Sequence, residues 1–286
     1  MHFITARSIL TPNSMNIFRG CTHGCIYCDS RSKCYQFTHG FEDIAVKQNA
    51  PELLETALRS KRRRCMIGTG SMCDPYMPIE RELRLTRRCL ELIDKYDFGV
   101  ALQTKSDLVL RDIDLLASID RKAKAVVQMT LTTFDEDLCR IVEPAVCTTR
   151  KRFEALCALR DEGIATVVWL CPVLPFINDT RENIEGILDL CIRAGVKGII
   201  CFGMGMTLRE GSREYYYAAL DRHFPGLRQR YERTYGTAYE LLSPNHGELM
   251  RLFHATCESR GIMHDNDAIF AYMRELPEPY EQMTLF

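Results

Sequence analysis

The chain has almost no net charge, no apolar run of membrane-spanning length, no internal repeat, no low-complexity linker and no second CxxC pair. Its formal charge is -1 over 286 residues, which removes whole-molecule attraction to polyanions as an argument. Local basic runs remain, "RSKRRR" at 59 to 64 and "TTRKR" at 148 to 152, and read as solvated helix faces. The longest apolar stretch, "ATVVWLCPVLPFI", is too short to cross a bilayer, and "MHFITARSILTPNS" lacks a basic region followed by an apolar run. The expectation is a cytoplasmic chain without a membrane partner. In that reducing compartment its 14 cysteines are core fillers or metal ligands rather than disulfides. Apolar residues at 46% and charged residues at 26% are ordinary for a globular protein, and the length suits one barrel-sized core.

Six β-rich runs recur, at 15 to 20, 65 to 70, 99 to 105, 125 to 132, 165 to 174 and 198 to 204. Their near-continuous apolar character is that of parallel strands covered by helices. Helical patterns separate them: "PELLETALRSKRR", "IERELRLTRRCLELIDKY", "DIDLLASID", "RKRFEALCALRDEG" and "TRENIEGILDLCIRAG". The alternation predicts right-handed βαβ units, in a doubly wound sheet or a barrel, and periodicity does not choose between them. From about residue 206 the pattern turns to polar, aromatic-rich helices such as "SREYYYAALDRHF" and "GELMRLFHATCESRG". The expected organisation is an α/β unit over 1–205 followed by a helical extension over 206–286.

Cysteines divide by neighbourhood. Cys139, Cys157, Cys191 and Cys257 fall on apolar positions of helices, and Cys171 and Cys201 within strand-like runs, where cysteine behaves as a small hydrophobe. Cys21, Cys25 and Cys28 instead form CxxxCxxC in "RGCTHGCIYCDS", a glycine-containing loop directly after the first strand. Structural zinc ordinarily takes four protein ligands, often in two pairs. Cys34, His23 and His39 are candidates for a fourth, but the spacing is not that of a zinc knuckle. Three thiolates on a 4Fe-4S cube leave one iron open to a small molecule, on the side of the strands where α/β barrels gather their chemistry.

With an aromatic residue, Tyr27, before the third cysteine, this motif resembles the radical S-adenosylmethionine (radical SAM) superfamily. The resemblance implies a partial (β/α)6 TIM-type barrel with a helical C-terminal extension, a 4Fe-4S cluster held by Cys21, Cys25 and Cys28, and S-adenosyl-L-methionine bound at the open iron. It also implies cleavage to a 5'-deoxyadenosyl radical and an electron donor such as flavodoxin or ferredoxin. "RGCTHGCIYCDSR", "GTGSMCDPYMPIE", "LQTKSDLVLRDIDLL", "TLTTFDEDLCRIVEP" and Pro172 to Asn178 are similar to the spore photoproduct lyase-like branch. By that resemblance DNA is a candidate substrate, and Tyr27, Lys105 and Thr132 contact S-adenosylmethionine. A non-catalytic iron-sulfur or zinc-binding protein is the alternative.

The chain departs from the pattern at two points. A Gly-Gly-Glu run after the second strand is replaced by "GTGSMCDPY". The hydrogen-returning cysteine of spore photoproduct lyases would fall on Ser71, whose O–H bond is too strong for that task. Cys73, two positions on, is the candidate for a displaced catalytic donor, a cofactor contact or a buried thiol. Other candidates are weaker. Glu143-Pro144 and Arg150 could line the barrel mouth or start a helix; Asp74 and Glu80 could be acids or caps; Tyr215, Tyr216 and Tyr217 could stack on bases or fill a core; Gly68 and Gly70 lack the third glycine of a dinucleotide loop. Finally, Gln282, Met283, Leu285 and Phe286 in "EQMTLF" resemble the peptide with which bacterial proteins bind the sliding clamp.

Overall fold

A computed structural model describes residues 1–277; the clamp-like residues Gln282, Met283, Leu285 and Phe286 lie outside the described residues. Six strands, β1 (Ser14–Met15), β2 (Met66–Thr69), β3 (Gly99–Thr104), β4 (Ala125–Thr130), β5 (Ala165–Trp169) and β6 (Gly198–Ile200), form one sheet in chain order. Every neighbouring pair is parallel. This is the expected α/β partial barrel, with the helices between strands on its outer face.

Alternation along the strands builds two layers. Ile67, Val100, Leu102, Val127, Met129, Val168 and Ile199 pack outward into the main core, against Leu54, Leu90, Ile119, Leu156 and Ile187 of the surrounding helices. Met66, Ala101, Val126, Val167 and Ile200 face inward and meet Ile269 and Met273 of the helix Asn266–Arg274. The runs that read as continuously apolar are therefore apolar on both faces for different reasons.

Three differences from the sequence reading bear on the site. After Met15 the chain leaves the barrel sheet, and Phe18–Arg19 pairs with Ala45–Lys47, which also pairs with His2–Ile4. The pattern at 79 to 96 is two helices, because the Glu80 carboxylate accepts from the backbone N–H of Leu85 and Thr86 at 3.0 Å each and starts a new helix there. Beyond residue 205 the chain is helical as expected, with one addition: Gly205–Thr207 pairs antiparallel with Glu240–Leu242. The helices Ser212–His223 and Leu227–Tyr235 pack through Tyr216, Tyr217, Leu220 and Tyr231 onto Ile26, Tyr27 and Val142 around the cysteine loop. Tyr216 and Tyr217 are thus core rather than a stacking platform, and the Tyr215 ring lies 3.8 Å under the Arg31 guanidinium.

At the end of β2 the chain turns through Gly70 at φ +99°, where a Cβ would overlap the Gln103 carbonyl. Gly70→Ala is expected to destabilise the protein by more than the roughly 1–3 kcal/mol of backbone strain alone. Gly40, with open space around it, is the control: Gly40→Ala should be close to neutral in the same denaturant titration.

Candidate functional site

The cysteine loop leaves the small side sheet and runs across the C-terminal ends of the barrel strands. Its backbone is tied to both neighbours: Cys21 N–H donates to Phe41 O at 3.1 Å and Ile26 N–H to Val142 O at 3.0 Å. Cys25 and Cys28 line a cavity of about 540 Å³ together with Tyr27, Lys105, Thr130 and Cys171. Cys21, partly buried, packs against the main core beside them.

Two of the thiols, Cys21 and Cys25, sit where a negative charge is costly. Burial pushes the Cys21 thiol up to about 12, with the Asp74 and Cys28 charges adding to it. Burial raises the Cys25 thiol well above its ordinary range, and the Lys105 ammonium opposes that rise. Metal ligation needs the thiolate, so Cys21 and Cys25 are stable as ligands only with compensating positive charge beside them. Among the described residues no three His, Cys, Asp or Glu side chains converge closely enough to grip a single ion. Thiolates that each bind a different iron of a cube need no such convergence. The donor set therefore fits a cluster.

Lys105 follows the last residue of β3, and its Nζ is 3.4 Å from the Thr130 hydroxyl and 5.8 Å from the Tyr27 ring centre. Burial works against its charge, but Cys25 and Glu143 outweigh burial and raise its pKa. An ammonium held between a thiol-rich loop and a cavity is a ready partner for a ligand carboxylate.

Beneath it lies an ion pair. Arg152 and Glu143 are 0% and 1% exposed and bonded to one another. Tyr27 O–H donates to the same carboxylate, while Arg152 also donates to the carbonyls of Thr130 at 2.7 Å and Cys147 at 3.0 Å. Desolvation acts to raise the Glu143 pKa, but Arg152 and Lys105 more than offset it and hold the carboxyl below its usual range. This pair fixes Tyr27 and the end of β4 together.

Not every sequence candidate reaches the cavity. Thr132 is fully buried, its hydroxyl 3.4 Å from that of Thr133 and its carbonyl bonded to Asn178 and Asn183. β4 ends at Thr130, so the hydroxyl at the strand end beside Lys105 is that of Thr130. Cys73 donates to Phe18 O at 2.9 Å from within the main core, and burial raises its thiol to about 12; it is absent from the cavity wall. His23 is turned away from the thiols, with Nε2 3.0 Å from Asp74 Oδ2 and Nδ1 3.3 Å from Ala145 O. Asp74 in turn accepts from Thr104, Lys105 and Tyr76, a structural knot between two strand ends. Glu80 is the cap described above. Arg150 is exposed and pairs with Glu154 on the outer surface, whereas Arg152, two residues on, carries the buried contact. Cys34 is exposed, 3.5 Å from an Arg209 nitrogen. Thr130, Gln103 and Trp169 line the cavity without having been singled out, and Cys171, expected as a small hydrophobe of a strand-like run, is partly exposed on the same wall. Their signal is parity: each falls on the inward face of its strand or of its extension.

A protein-family model described as the radical SAM superfamily matches residues 15–191. An uncharacterized protein of Mycobacterium tuberculosis is 29% identical over 244 residues, covering 83% of this chain and 71% of that protein. A radical SAM Nalpha-GlyT isomerase of Pseudomonas phage M6 is 24% identical over 180 residues, covering 63% of this chain and 36% of that protein. Among solved structures, a spore photoproduct lyase variant superposes with TM-score 0.67 at 13% identity, over 92% of this chain and 80% of that one. A spore photoproduct lyase complexed with dinucleoside spore photoproduct gives TM-score 0.65 at 13% identity, with the same coverage.

Proposed function

We propose, from the premise that this chain belongs to the radical SAM superfamily, that it is an enzyme acting on nucleic acid through a cluster held by Cys21, Cys25 and Cys28. The superfamily's 4Fe-4S cluster and S-adenosylmethionine supply, when bound, a carbon-centred oxidant strong enough to take a hydrogen atom from an unactivated C–H bond. The observation that carries the reading is the meeting of Cys25, Cys28, Tyr27, Lys105 and Thr130 at one cavity. Within it Lys105 offers a cation for the carboxylate of S-adenosylmethionine, Thr130 a hydroxyl beside it, and Tyr27 a ring fixed by Glu143. Of the three thiols Cys25 is buried, while Cys21 and Cys28 are partly exposed. Cys73 and Thr132 act from behind the wall, as supports of the loop and of the strand end.

Nucleic acid as substrate is supported by one likeness: a fold neighbour is described as a spore photoproduct lyase complexed with dinucleoside spore photoproduct. The electron comes in this reading from a donor of the flavodoxin or ferredoxin class, and the site of action is the cytoplasm. Among the described residues no helix is long and apolar enough to cross a membrane.

Anaerobic reconstitution tests the reading. The protein is expected to hold about four irons per chain, to form 5'-deoxyadenosine from S-adenosylmethionine and dithionite, and to bind oligonucleotides. Zinc in place of iron, or iron without cleavage, would sink it. Lys105→Met is expected to weaken S-adenosylmethionine binding by about 1.5–3 kcal/mol, the range for hydrogen bonds to charged groups, with iron content unchanged. An unaltered dissociation constant removes Lys105 from the site. The tail resemblance adds a tether: a fluorescent peptide of residues 277 to 286 should bind purified bacterial sliding clamp, and Phe286→Ala should abolish that binding. A peptide that does not bind leaves the enzyme without this route to DNA.

A further inference from the structure

The run "RSKRRR" at 59 to 64 reads in the sequence as a solvated helix face, but the structure places most of it elsewhere. The helix Ala50–Ser60 ends inside the run: Lys61 is extended, at φ -70° and ψ 129°, and residues 61 to 65 are the loop that enters β2 at Met66. The negative end of that helix accounts for Arg59 in its last turn. It does not account for Arg62 and Arg63, which stand beyond it.

These five cations in six residues meet little opposing charge. Glu52 and Glu55 of the same helix are engaged by Arg88 at 3.0 Å and Lys95 at 2.8 Å, and Asp97 by Arg64 at 2.9 Å. Arg59, Arg62 and Arg63 are exposed and have no ion-pair partner among the described residues. Lys61 pins the loop in place, its Nζ 2.6 Å from Asn13 Oδ1 and 3.4 Å from Pro12 O.

That anchor sets the run beside an opening. The exposed residues Thr11, Pro12 and Asn13 form part of the rim of a second cavity, a chamber of about 510 Å³ that Gln103 and Gln128 also line. The chamber shares Gln103 and Trp169 with the cavity at the cysteine loop, so the two adjoin. No aspartate or glutamate is among its lining residues, and the one charged residue there, Arg274, is another exposed cation. Its guanidinium lies 5.4 Å from the Phe270 ring centre. Two segments far apart in sequence thus bring cations to one rim.

We propose that Arg59, Arg62, Arg63 and Arg274 form a docking surface for the phosphate backbone of a nucleic-acid strand. The proposal rests on the nucleic-acid reading above and adds where on this chain the strand lies. A chain of net charge -1 has no long-range attraction for a polyanion, so such a strand needs a local surface of one sign. Arginine suits it, because the planar guanidinium presents paired N–H groups to phosphate oxygens. Contacts of this kind position a strand and carry no sequence information.

The test measures fluorescence anisotropy of labelled DNA and RNA oligonucleotides with the full chain, cluster-containing and without reductant, across a series of salt concentrations. Arg62→Gln combined with Arg63→Gln should lower the slope of log affinity against log salt by about 2, one unit per lost phosphate contact, and weaken binding about tenfold or more at 0.1 M salt. Arg274→Gln should lower the slope by about one further unit. Arg62→Lys with Arg63→Lys, which keeps the charge, should retain the slope. Arg150→Gln with Lys151→Gln, which removes the same charge from the other basic run, should change neither slope nor affinity. Circular dichroism and iron content should be unaltered throughout. Either polymer giving these slopes supports the surface, and the tighter of the two identifies its source. Displacement of the strand by polyglutamate at equal charge overturns the proposal in favour of an acidic protein partner. Oligonucleotides that bind with the same slope to Arg62→Gln/Arg63→Gln remove this surface and leave the nucleic-acid reading standing; oligonucleotides that do not bind at all remove both.

Discussion

Alanine at any one of Cys21, Cys25 or Cys28 is expected to abolish both cluster incorporation and cleavage of S-adenosylmethionine, whereas Cys34→Ala leaves iron content unchanged. A site-differentiated cube has three protein thiolates and no spare, so losing one leaves a second iron without a protein ligand. The loop cannot recruit a substitute. His23 is engaged by Asp74 and Ala145, Cys73 is turned to the Phe18 carbonyl, and Cys34 stands exposed beside Arg209. Iron and sulfide analysis with electron paramagnetic resonance of the reduced protein reads the outcome. A Cys34→Ala protein that loses its cluster would restore four-ligand coordination, and with it the zinc-type alternative.

The largest expected loss of stability comes from Arg152→Met. It leaves Glu143, 1% exposed, as a buried anion without its guanidinium, and strips a donor from the carbonyls of Thr130 and Cys147. Removing one partner of a buried pair typically costs 3–5 kcal/mol. Glu143→Gln combined with Arg152→Met should recover much of that loss, because no unpaired charge remains; a double-mutant cycle in denaturant measures the coupling. The pH dependence has a definite sign. Glu143 is held below its ordinary pKa, so its contribution is complete above the unfolded value of about 4.3 and is lost as pH falls through the folded one. The wild-type protein should therefore lose more stability on acidification than the double variant. Equal acid sensitivity would show that the pair does not hold the site together.

Much of this was legible from local pattern. CxxxCxxC in a glycine-containing loop after a first strand marks the ligating segment, and strand-helix alternation marks the barrel. What escaped depends on register and on distant partners. Thr132 and Thr130 share parity, and only the observed end of β4 at Thr130 shows which hydroxyl stands beside Lys105. Arg150 and Arg152 look equivalent in "TTRKR", yet Arg152 lies on the buried stripe of its helix with Thr149, Ala155, Leu156 and Leu159. That apolar spacing was a usable signal for a buried arginine. Glu143 gave none, since its partners, Tyr27 and Arg152, meet it only through folding. The side sheet of His2–Ile4 with Ala45–Lys47 is too short for periodicity to reveal. The chamber at Gln103 and Gln128 needs strand register, which sequence alone does not supply.

The most direct test of the central claim follows deuterium. The reconstituted enzyme is incubated with reductant, S-adenosylmethionine and nucleic acid carrying deuterium on its bases and sugars, and the 5'-deoxyadenosine formed is examined by mass spectrometry. Deuterium in its 5'-methyl group, dependent on Cys21, Cys25 and Cys28, is the result that a radical enzyme acting on nucleic acid predicts. Abundant 5'-deoxyadenosine that never carries deuterium from the nucleic acid would contradict that claim.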